Sequence, residues 1–526
     1  MAYCIYGFYS IYRVYSIFSV YKNNLMKRYF LALVALLLSC LSASALELPA
    51  IFSDHMMLQQ QTSARLWGWA KGGSTVEVTT SWDSQTYSAK ADKTSGRWEL
   101  QVRTPAASYD KQSLTVRGDG ETRQLTDILV GEVWFCSGQS NMEMPIGGFW
   151  NCPVKGANET IAQANRYSGR IRCATIPKAD ALEPQDRVGA EWQDCSMETV
   201  SRFSACGYYF AETLTELLNV PVGIINCSWG GSCVEGWLPK EILLTYPDGL
   251  VNFDDQDYHR KMVMFNGMLN PLAGYTIKGF LWNQGESNVD REKEYADRFE
   301  TMVRLWRKMW RQGEDPLPIY TVEIPGYSYG NVNGTNCADL RVVQHQIAHE
   351  LENCGCVCTA DLMEPWEAEQ IHGCHKREIG QRLAWMAGTR DYGLKGIASE
   401  SPEFDHMVST IASDGDMQVV AGTAIAKNAN EKGQVMRLYF TNAIDGFDRL
   451  RDIEGFEAAG ADGVWHPAIV WPDSDWQDPT YQGCYLKLVC PEVSDIKNVR
   501  YHYNNFSVGG LRNTRGLPVV PFCTKF

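Results

Sequence analysis

The chain has 526 residues, of which 45% are hydrophobic and 12% aromatic. This composition is typical of a globular protein with a large core and excludes a disordered one, and the length is enough for two or three domains. Lysine and arginine total 48 against 62 aspartate and glutamate residues, which gives a formal net charge of −14. An acidic surface repels phosphate backbones and no basic run offsets it, so we expect no nucleic-acid partner.

Residues 1–45 have the pattern of an upstream extension followed by a signal peptide. A basic pair directly after Met26 precedes an apolar stretch and a small-x-small cleavage site that ends at Ala45. The apolar stretch is too short for a comfortable membrane span. We therefore expect a secreted or periplasmic protein that is cleaved near Ala45, and lipid anchoring at Cys40 is the alternative.

Residues 46–125 predict an N-terminal β-sandwich module, because apolar and polar residues alternate between glycine-rich or aspartate-rich turns. The segments with this alternation are Ser63–Trp69, Thr75–Thr80 and Ser113–Arg117.

Residues 126–395 change pattern, since apolar runs typical of buried parallel strands alternate with helical stretches. The predicted strands are Ile128–Cys136, Val222–Cys227, Ile277–Trp282, Ile319–Ile324 and Cys354–Thr359. A helix is predicted near 292–311, and its apolar face consists of Tyr295, Phe299, Met302, Leu305, Trp306 and Met309. A last helix is predicted near 375–389. Such alternation favours an α/β/α sandwich with a parallel sheet.

Residues 396–526 return to short strand-like segments and predict a C-terminal β module. The segments are Val435–Phe440, Cys484–Val489 and Val499–Tyr503.

Cysteine is frequent, with 17 residues. Two of them, Cys4 and Cys40, precede the expected cleavage site, and the remainder is an odd number. The alternating sequence Cys354-Gly-Cys-Val-Cys suits one face of a buried strand and lacks the two-residue spacers of common zinc sites. We therefore interpret most of the cysteines as small hydrophobic residues and expect no metal.

Four chemically similar segments follow predicted strands or precede a helix. They are Gly138-Gln-Ser-Asn-Met, Asn226-Cys-Ser-Trp-Gly-Gly-Ser, Trp282-Asn-Gln-Gly-Glu-Ser-Asn and Glu369-Gln-Ile-His. In open α/β sheets, functional groups collect at the carboxyl ends of the strands. A serine in a turn after a strand can expose its hydroxyl beside backbone N–H groups that stabilise an oxyanion.

In this order, the four segments resemble the sialate O-acetylesterase family of the SGNH hydrolases. Further similarity to that family lies in IFSDHMMLQQ from Ile51, GFEAAGADG from Gly455 and GLPVVPF from Gly516. The resemblance implies an SGNH-type three-layer α/β/α domain flanked by N- and C-terminal β-sandwich modules. It also implies a serine esterase that removes O-acetyl groups from a sugar or polysaccharide without a cofactor.

Matched residue by residue, the resemblance makes Ser140 the nucleophile and His372 its general base. The oxyanion hole would consist of the Ser140 and Gly231 N–H groups and the Gln284 side chain. Supporting hydrogen bonds are expected from Gln139, Asn141, Glu286 and Asn288.

One position departs from the family, which has aspartate where this chain has Gln370. A neutral amide cannot stabilise an imidazolium as a carboxylate does. Glu369 is the substitute that the sequence favours, with Glu367 and Asp361 as alternatives, and a Ser-His pair without an acid is a further one.

Other interpretations remain open at this stage. A protein that kept the fold but only binds carbohydrate is one, because of the missing aspartate. Zinc-dependent deacetylation through His345, His349 and the cysteine cluster is another, although the glutamate of H-E-x-x-H is absent. His375 competes with His372 as the base. The sequence does not decide between acetylated sialic acid and an acetylated plant polysaccharide as substrate.

Overall fold

The computed structural model describes residues 46–251, 259–311, 313, 315–411, 434–443, 446–448, 453–473 and 485–525. The chain divides into two compact units. Of the described residues, the smaller unit contains 46–48, Leu66–Leu100 and Leu114–Gln124, and the larger contains Pro49–Arg65, Gln101–Ser113 and the described residues from Leu125 onward. The predicted signal peptide lies outside the described residues. Within them, no helix combines the length and the apolar character that crossing a membrane requires.

The N-terminal region consists of strands that alternate buried and exposed residues. Val76 and Val78 are buried, whereas Glu77 between them is exposed, and Val78 pairs with Tyr87 and Val116 on the two neighbouring strands. The predicted strands at Ser63–Trp69 and Thr75–Thr80 are confirmed, while the sandwich arrangement stays a prediction. The strands up to the central sheet are β1 (Met57–Gln59), β2 (Ser63–Trp69), β3 (Thr75–Thr80), β4 (Thr86–Lys90), β5 (Arg97–Arg103), β6 (Ser108–Gly118) and β7 (Glu121–Gly138).

A parallel sheet forms the centre of the larger unit and contains β7 together with the strands β8 (Ile171–Thr175), β9 (Trp192–Asp194), β10 (Val222–Ser228), β11 (Gly279–Asn283), β12 (Ile319–Val322) and β13 (Cys354–Val357). The strand order is β13-β12-β11-β7-β10-β8-β9. All neighbours in the path are parallel except β9, which is antiparallel to β8. The near-continuous apolar runs are explained by burial of both faces of these strands.

Helices cover both faces of this sheet. They are α1 (Ser140–Glu143), α2 (Ala157–Gln163), α3 (Ala205–Leu218), α4 (Lys240–Leu243), α5 (Glu292–Trp310), α6 (Asn336–Glu350) and α7 (Lys376–Arg390). On β7, the Trp134 ring packs against Phe210 of α3, whereas the next residue, Phe135, packs against Trp310 of α5. Successive strand residues point to opposite faces, so these contacts establish three layers. The predicted α/β class with a parallel sheet is confirmed.

The α5 helix buries the face that its sequence predicts, although not every residue of it. Tyr295, Phe299, Met302 and Trp306 are buried, together with Trp310, whereas Leu305 and Met309 stay half-buried at the margin of the face. Helical periodicity therefore located this layer correctly.

The strands of the C-terminal region are β14 (Glu403–Ile411), β15 (Gln434–Thr441), β16 (Phe456–Ala459), β17 (Trp465–Pro467), β18 (Ile469–Asp473), β19 (Tyr485–Val489), β20 (Asn498–Tyr501) and β21 (Phe522–Cys523). They form two antiparallel sheets, with the strand orders β14-β15-β19-β18 and β17-β16-β20-β21. Leu438 and Leu488 of one sheet share an apolar cluster with Phe456 and Val499 of the other. Of the predicted strand Cys484–Val489, the residues Tyr485–Val489 form β19, and Cys484 lies outside the described residues.

Most of the described cysteines are buried, and all of them are free thiols. Their role as small hydrophobic residues is confirmed around the central sheet, where Cys136 of β7, Cys173 of β8 and Cys206 of α3 belong to one apolar core.

Candidate active site

Three strand ends meet at one edge of the central sheet. Gly138, the last residue of β7, pairs with Ser228 of β10 on one side and with Asn283 of β11 on the other. A Cβ atom at Gly138 would lie 2.2 Å from the Asn283 carbonyl oxygen, and its φ of +132° also favours glycine. The segments after the three strands therefore converge, as the sequence predicts.

Ser140 begins the short helix α1 at this edge. It is half-buried, whereas its neighbours Gln139 and Asn141 are buried. The Gln139 Oε1 atom accepts hydrogen bonds from the N–H groups of Gly285 (3.3 Å) and Ser287 (3.4 Å). The Ser140 hydroxyl forms no hydrogen bond with any of the described residues. The fold thus leaves this hydroxyl available at the strand end.

The glycine pair after β10 lies directly against Ser140. A Cβ atom at Gly230 would be 3.2 Å from the Ser140 Cβ, and Gly231 adopts a φ of +80°. The Gly230 N–H donates to Glu143 Oε2 at 2.5 Å. Within the part of the chain that the structure describes, the N–H groups of Ser140 and Gly231 have no acceptor. These are the two backbone donors predicted for the oxyanion hole.

Gln284 lies at the base of the site and is fully buried. Its Nε2 atom donates to the Ser232 carbonyl (3.0 Å) and to Asn288 Oδ1 (2.7 Å). Asn288 in turn donates to Glu235 Oε2 at 3.0 Å. Both Gln284 N–H groups therefore have acceptors in this structure, so its side chain braces the turn that contains the glycine pair. Its predicted role as an oxyanion donor stays a prediction.

Asn141 connects the serine segment to the histidine segment. Its Nδ2 atom donates to Glu286 Oε1 and to the Ile371 carbonyl, the latter at 3.0 Å, and its Oδ1 atom accepts from Lys376 Nζ. The residue after Ser140 is thus bonded to the residue before His372. Supporting roles for Asn141 and Glu286 agree with these contacts.

Lys376 is a site residue that the sequence analysis missed. It is the first residue of α7 and is buried beside Asn141 and Glu286. Burial lowers the pKa of Lys376 and raises that of Glu286. A lysine at a helix start usually signals only a solvated side chain, so no local pattern distinguished it.

His372 lies in an environment that keeps its imidazole neutral. The ring packs edge-on against Phe149, with a centroid separation of 5.3 Å. Burial, followed by the positive charge of Lys376, lowers the pKa of His372 to about 4. A histidine that is neutral at ordinary pH can accept a proton, as a general base must.

A thiol lies beside the His372 ring. The Nδ1 atom lies 4.0 Å from Cys152 Sγ, which also accepts a hydrogen bond from Gln370 Nε2 at 3.1 Å. Gln370 Oε1 accepts from the His372 backbone N–H at 3.1 Å. Cys152 is separated from His372 by 220 residues and was not identified from the sequence.

The structure does not bring the proposed acids to this ring. Glu369 is exposed and has no hydrogen bond within the described residues. Glu367 accepts hydrogen bonds from the backbone N–H groups of Glu364 (2.8 Å) and Cys374 (3.0 Å), and Asp361 forms a paired contact with Arg382 at 2.7 and 2.8 Å. The assignment of Glu369 as the acid stays a prediction.

His375, the competing base, has both ring nitrogens engaged by carboxylates. Its Nε2 atom lies 2.9 Å from Glu364 and its Nδ1 atom 3.1 Å from Glu378. The hydrogen bond that His375 donates to the Glu378 carboxylate raises the pKa of His375. His372 is therefore the better candidate for the base.

The histidines of the zinc hypothesis are also paired with carboxylates. His345 Nε2 lies 2.7 Å from Glu323, and His349 Nε2 lies 2.6 Å from Glu403. Among the described residues, the Glu/Cys/His group compact enough to hold a metal is a different one, formed by Glu364, Cys374 and His375. The ammonium group of Lys155 lies 2.9 Å from Glu364 and 3.3 Å from His375 Nε2.

Comparisons with known proteins give a consistent result. Residues 130–387 match a family described as carbohydrate esterase, sialic acid-specific acetylesterase. The sialate O-acetylesterase of Homo sapiens is 28% identical over 383 residues, which cover 67% of this chain and 72% of that protein. The sialate O-acetylesterase of Mus musculus is 24% identical over 446 residues, which cover 73% and 81%. A crystal structure of a carbohydrate acetylesterase from Xanthomonas citri superposes with a TM-score of 0.77 at 28% identity, covering 91% of this chain and 99% of that one.

Proposed function

We propose that this chain, which over residues 130–387 is similar to the carbohydrate esterases of the sialic acid-specific acetylesterase family, is a carboxylic ester hydrolase that removes O-acetyl groups from carbohydrates, with Ser140 as nucleophile and His372 as general base. The proposal extends the O-acetylesterase function of the family to named residues. The substrate is an O-acetylated sugar or polysaccharide.

The observation that supports this pairing best is the position of Asn141. It follows Ser140 in the chain and donates to the carbonyl of Ile371, which precedes His372. Lys376 and Glu286 bond to the same amide, so three segments that are distant in sequence are fixed around one buried side chain. A buried and fully bonded group of this kind holds its neighbours in one geometry.

The proposed reaction follows the two-step scheme of serine esterases. The Ser140 oxygen attacks the acetyl carbonyl carbon while His372 takes the hydroxyl proton, and the N–H groups of Ser140 and Gly231 stabilise the oxyanion. The sugar oxygen then leaves with the proton from His372, and an acetyl-enzyme remains. Water attacks this ester, gives its proton to His372 and releases acetate, after which the proton returns to Ser140.

We propose that Gln284 acts mainly by positioning the turn that contains Gly231. Its two N–H groups already bond to Ser232 and Asn288, and the chain of hydrogen bonds continues to Glu235. Loss of one oxyanion donor typically costs ~3 kcal/mol in transition-state stabilisation. Gln284→Ala is expected to cost a similar amount, because the Gly231 N–H would no longer be held in place.

We propose that the site works as a Ser-His pair assisted by Cys152 and Gln370, with Glu369 as the alternative acid. The contacts of His372 Nδ1 with Cys152 and of Cys152 with Gln370 support the first arrangement. The Glu-x-x-His spacing supports the second. Glu369→Gln and Gln370→Glu separate the two arrangements.

Export is a further part of this proposal. It is supported by the signal-peptide pattern between Met26 and Ala45, which lies outside the described residues. Expression of the complete sequence in a bacterial host, followed by sequencing of the mature N-terminus, should give a chain that begins near Leu46. Retention of residues 27–45 in the fractionated protein would contradict export.

The test of the activity is release of acetate from acetylated sugars and from 4-nitrophenyl acetate. Ser140→Ala should abolish turnover, because the variant lacks the oxygen that would form the acetyl-enzyme. Ser168→Ala is the matched control, since its exposed hydroxyl donates to Asp194 at 2.6 Å. Turnover retained by Ser140→Ala would contradict the proposed nucleophile.

A further inference from the structure

Two tryptophan side chains are strongly exposed in the segments around His372. Trp150 is 90% exposed and Trp366 is 78% exposed. Neither ring contacts another aromatic ring or a cation within the described part of the chain. Tryptophan is enriched at binding surfaces, because its large apolar ring is covered by a ligand while its N–H group can stay in contact with water.

Trp150 lies at the tip of a tight hairpin. Phe149 and Cys152 exchange backbone hydrogen bonds of 3.0 Å in both directions, which leaves Trp150 and Asn151 as the two central residues. The base of this hairpin contacts His372, because the Phe149 ring and the Cys152 thiol both pack against the imidazole. The hairpin that carries Trp150 therefore borders the candidate active site.

Trp366 lies at the tip of a second turn. The Glu367 N–H donates to the Glu364 carbonyl at 2.9 Å, and the Glu364 N–H donates back to the Glu367 carboxylate at 2.8 Å. The base of this turn is also attached to the His372 segment. Glu367 accepts from the Cys374 N–H at 3.0 Å, and Glu364 bonds to His375 at 2.9 Å.

Lys155 joins the two regions. Its backbone N–H donates to the Cys374 carbonyl at 3.0 Å, and its ammonium group bonds to Glu364 at 2.9 Å. The hairpin of Trp150 leads directly into Lys155, so both tryptophan turns are anchored to the segment 372–375. The two exposed tryptophans are therefore carried by turns that are both anchored next to the proposed base.

We propose that Trp150 and Trp366 bind sugar rings of the substrate, and that this substrate is an O-acetylated oligosaccharide or polysaccharide of neutral sugars. The inference rests on the proposed acetylesterase function. A pyranose ring presents a face of C–H groups that packs on an indole ring, while its hydroxyl groups stay in water. Because the two rings lie on different turns, they can contact more than one sugar of an extended chain.

Apart from the buried Lys376, the charged groups of this segment favour neutral sugars over anionic ones. Glu364 beside Trp366 is compensated by Lys155, whereas the exposed Glu369 has no hydrogen-bond partner or ion pair within the described residues. The whole chain also has a net charge of −14. A sugar with a carboxylate would therefore meet like charge at the rim of the site.

The kinetic test compares Trp150→Ala and Trp366→Ala with the wild type on three substrates. These are acetylated xylohexaose, which is neutral, O-acetylated sialyllactose, which is anionic, and 4-nitrophenyl acetate, which has no sugar. For each variant, we compare kcat/KM for acetylated xylohexaose with kcat/KM for 4-nitrophenyl acetate. The ratio of the two should fall about tenfold because KM for the sugar substrate rises. A tenfold fall corresponds to ~1.4 kcal/mol of lost binding free energy. Ile411→Ala, at a position that is 74% exposed on β14, is the control and should leave all three values unchanged.

A binding measurement separates this inference from the proposed activity. Calorimetric titration of Ser140→Ala with acetylated xylohexaose should show binding that weakens at least about tenfold when both tryptophans are also replaced by alanine. Unchanged affinity, or an unchanged substrate ratio in the single variants, would overturn the role of the tryptophans. A wild-type preference for O-acetylated sialyllactose would overturn the neutral substrate class. Absence of acetate release from every substrate would refute the proposed function instead, and the titration would still report on the tryptophans.

Discussion

Gln370 occupies the position at which the family has an aspartate, and the change Gln370→Glu tests what that difference does to His372. The Gln370 amide donates to Cys152 at 3.1 Å, and the thiol lies 4.0 Å from His372 Nδ1. A carboxylate that replaces the amide therefore lies within about 7 Å of the imidazole. At an effective dielectric constant of about 20, a full charge at this distance stabilises the imidazolium by ~2.4 kcal/mol, which raises the pKa of His372 by ~1.7.

The pH dependence of kcat/KM is the appropriate measurement, because its acid limb reports the pKa of the essential base in the free enzyme. In the wild type, His372 has a pKa of about 4, so activity should fall to half near pH 4 as the imidazole is protonated. In Gln370→Glu, the midpoint should rise to roughly pH 5 to 6. A stronger base also accepts the serine proton more readily, so kcat at pH 7 should increase roughly fivefold.

Gln370→Met is the matched control for this experiment. It keeps the length of the side chain and removes both hydrogen bonds without adding a charge, so the acid limb should stay near pH 4. An acid limb in Gln370→Glu that coincides with that of Gln370→Met would refute the reasoning, since the new charge would then not act on His372.

Three further substitutions test the surroundings of the site. Glu369→Gln should change kcat by less than about twofold, because the exposed carboxylate makes no hydrogen bond to His372 within the described residues. A roughly 10⁴-fold loss of turnover would instead identify Glu369 as the acid that orients His372. Lys376→Met should raise the pKa of His372, because it removes a nearby positive charge, and the acid limb of kcat/KM measures this effect. It should also lower the free energy of unfolding by about 3 kcal/mol, because Glu286 would keep a buried charge without its cation. An unchanged midpoint of urea denaturation would contradict the buried network. Gly138→Ala should destabilise the fold by about 3 kcal/mol or more, since its Cβ would lie 2.2 Å from the Asn283 carbonyl oxygen, and a melting temperature equal to that of the wild type would exclude this contact.

The sequence alone determined the layers of the catalytic region and the place of the site within them. The five predicted parallel strands are present, with ends that differ by a few residues, and the helix predicted near 292–311 is Glu292–Trp310. These features depend on burial patterns within single segments, which the order of residues records directly. Parallel pairing then brings the carboxyl ends of the strands to one edge, so the convergence of Gly138, Ser228 and Asn283 followed from the motifs themselves.

Only the tertiary structure decided which side chains face one another across that edge. Lys376 is 235 residues from Asn141, and Cys152 is 220 residues from His372, so no local pattern recorded either contact. The spacing of Glu369 suggested a partner for His372, yet the backbone of this segment leaves that carboxylate in solvent and places Gln370 beside the thiol. Side-chain hydrogen bonds depend on distances of a few tenths of an ångström, whereas residue order specifies only which backbone segments are adjacent.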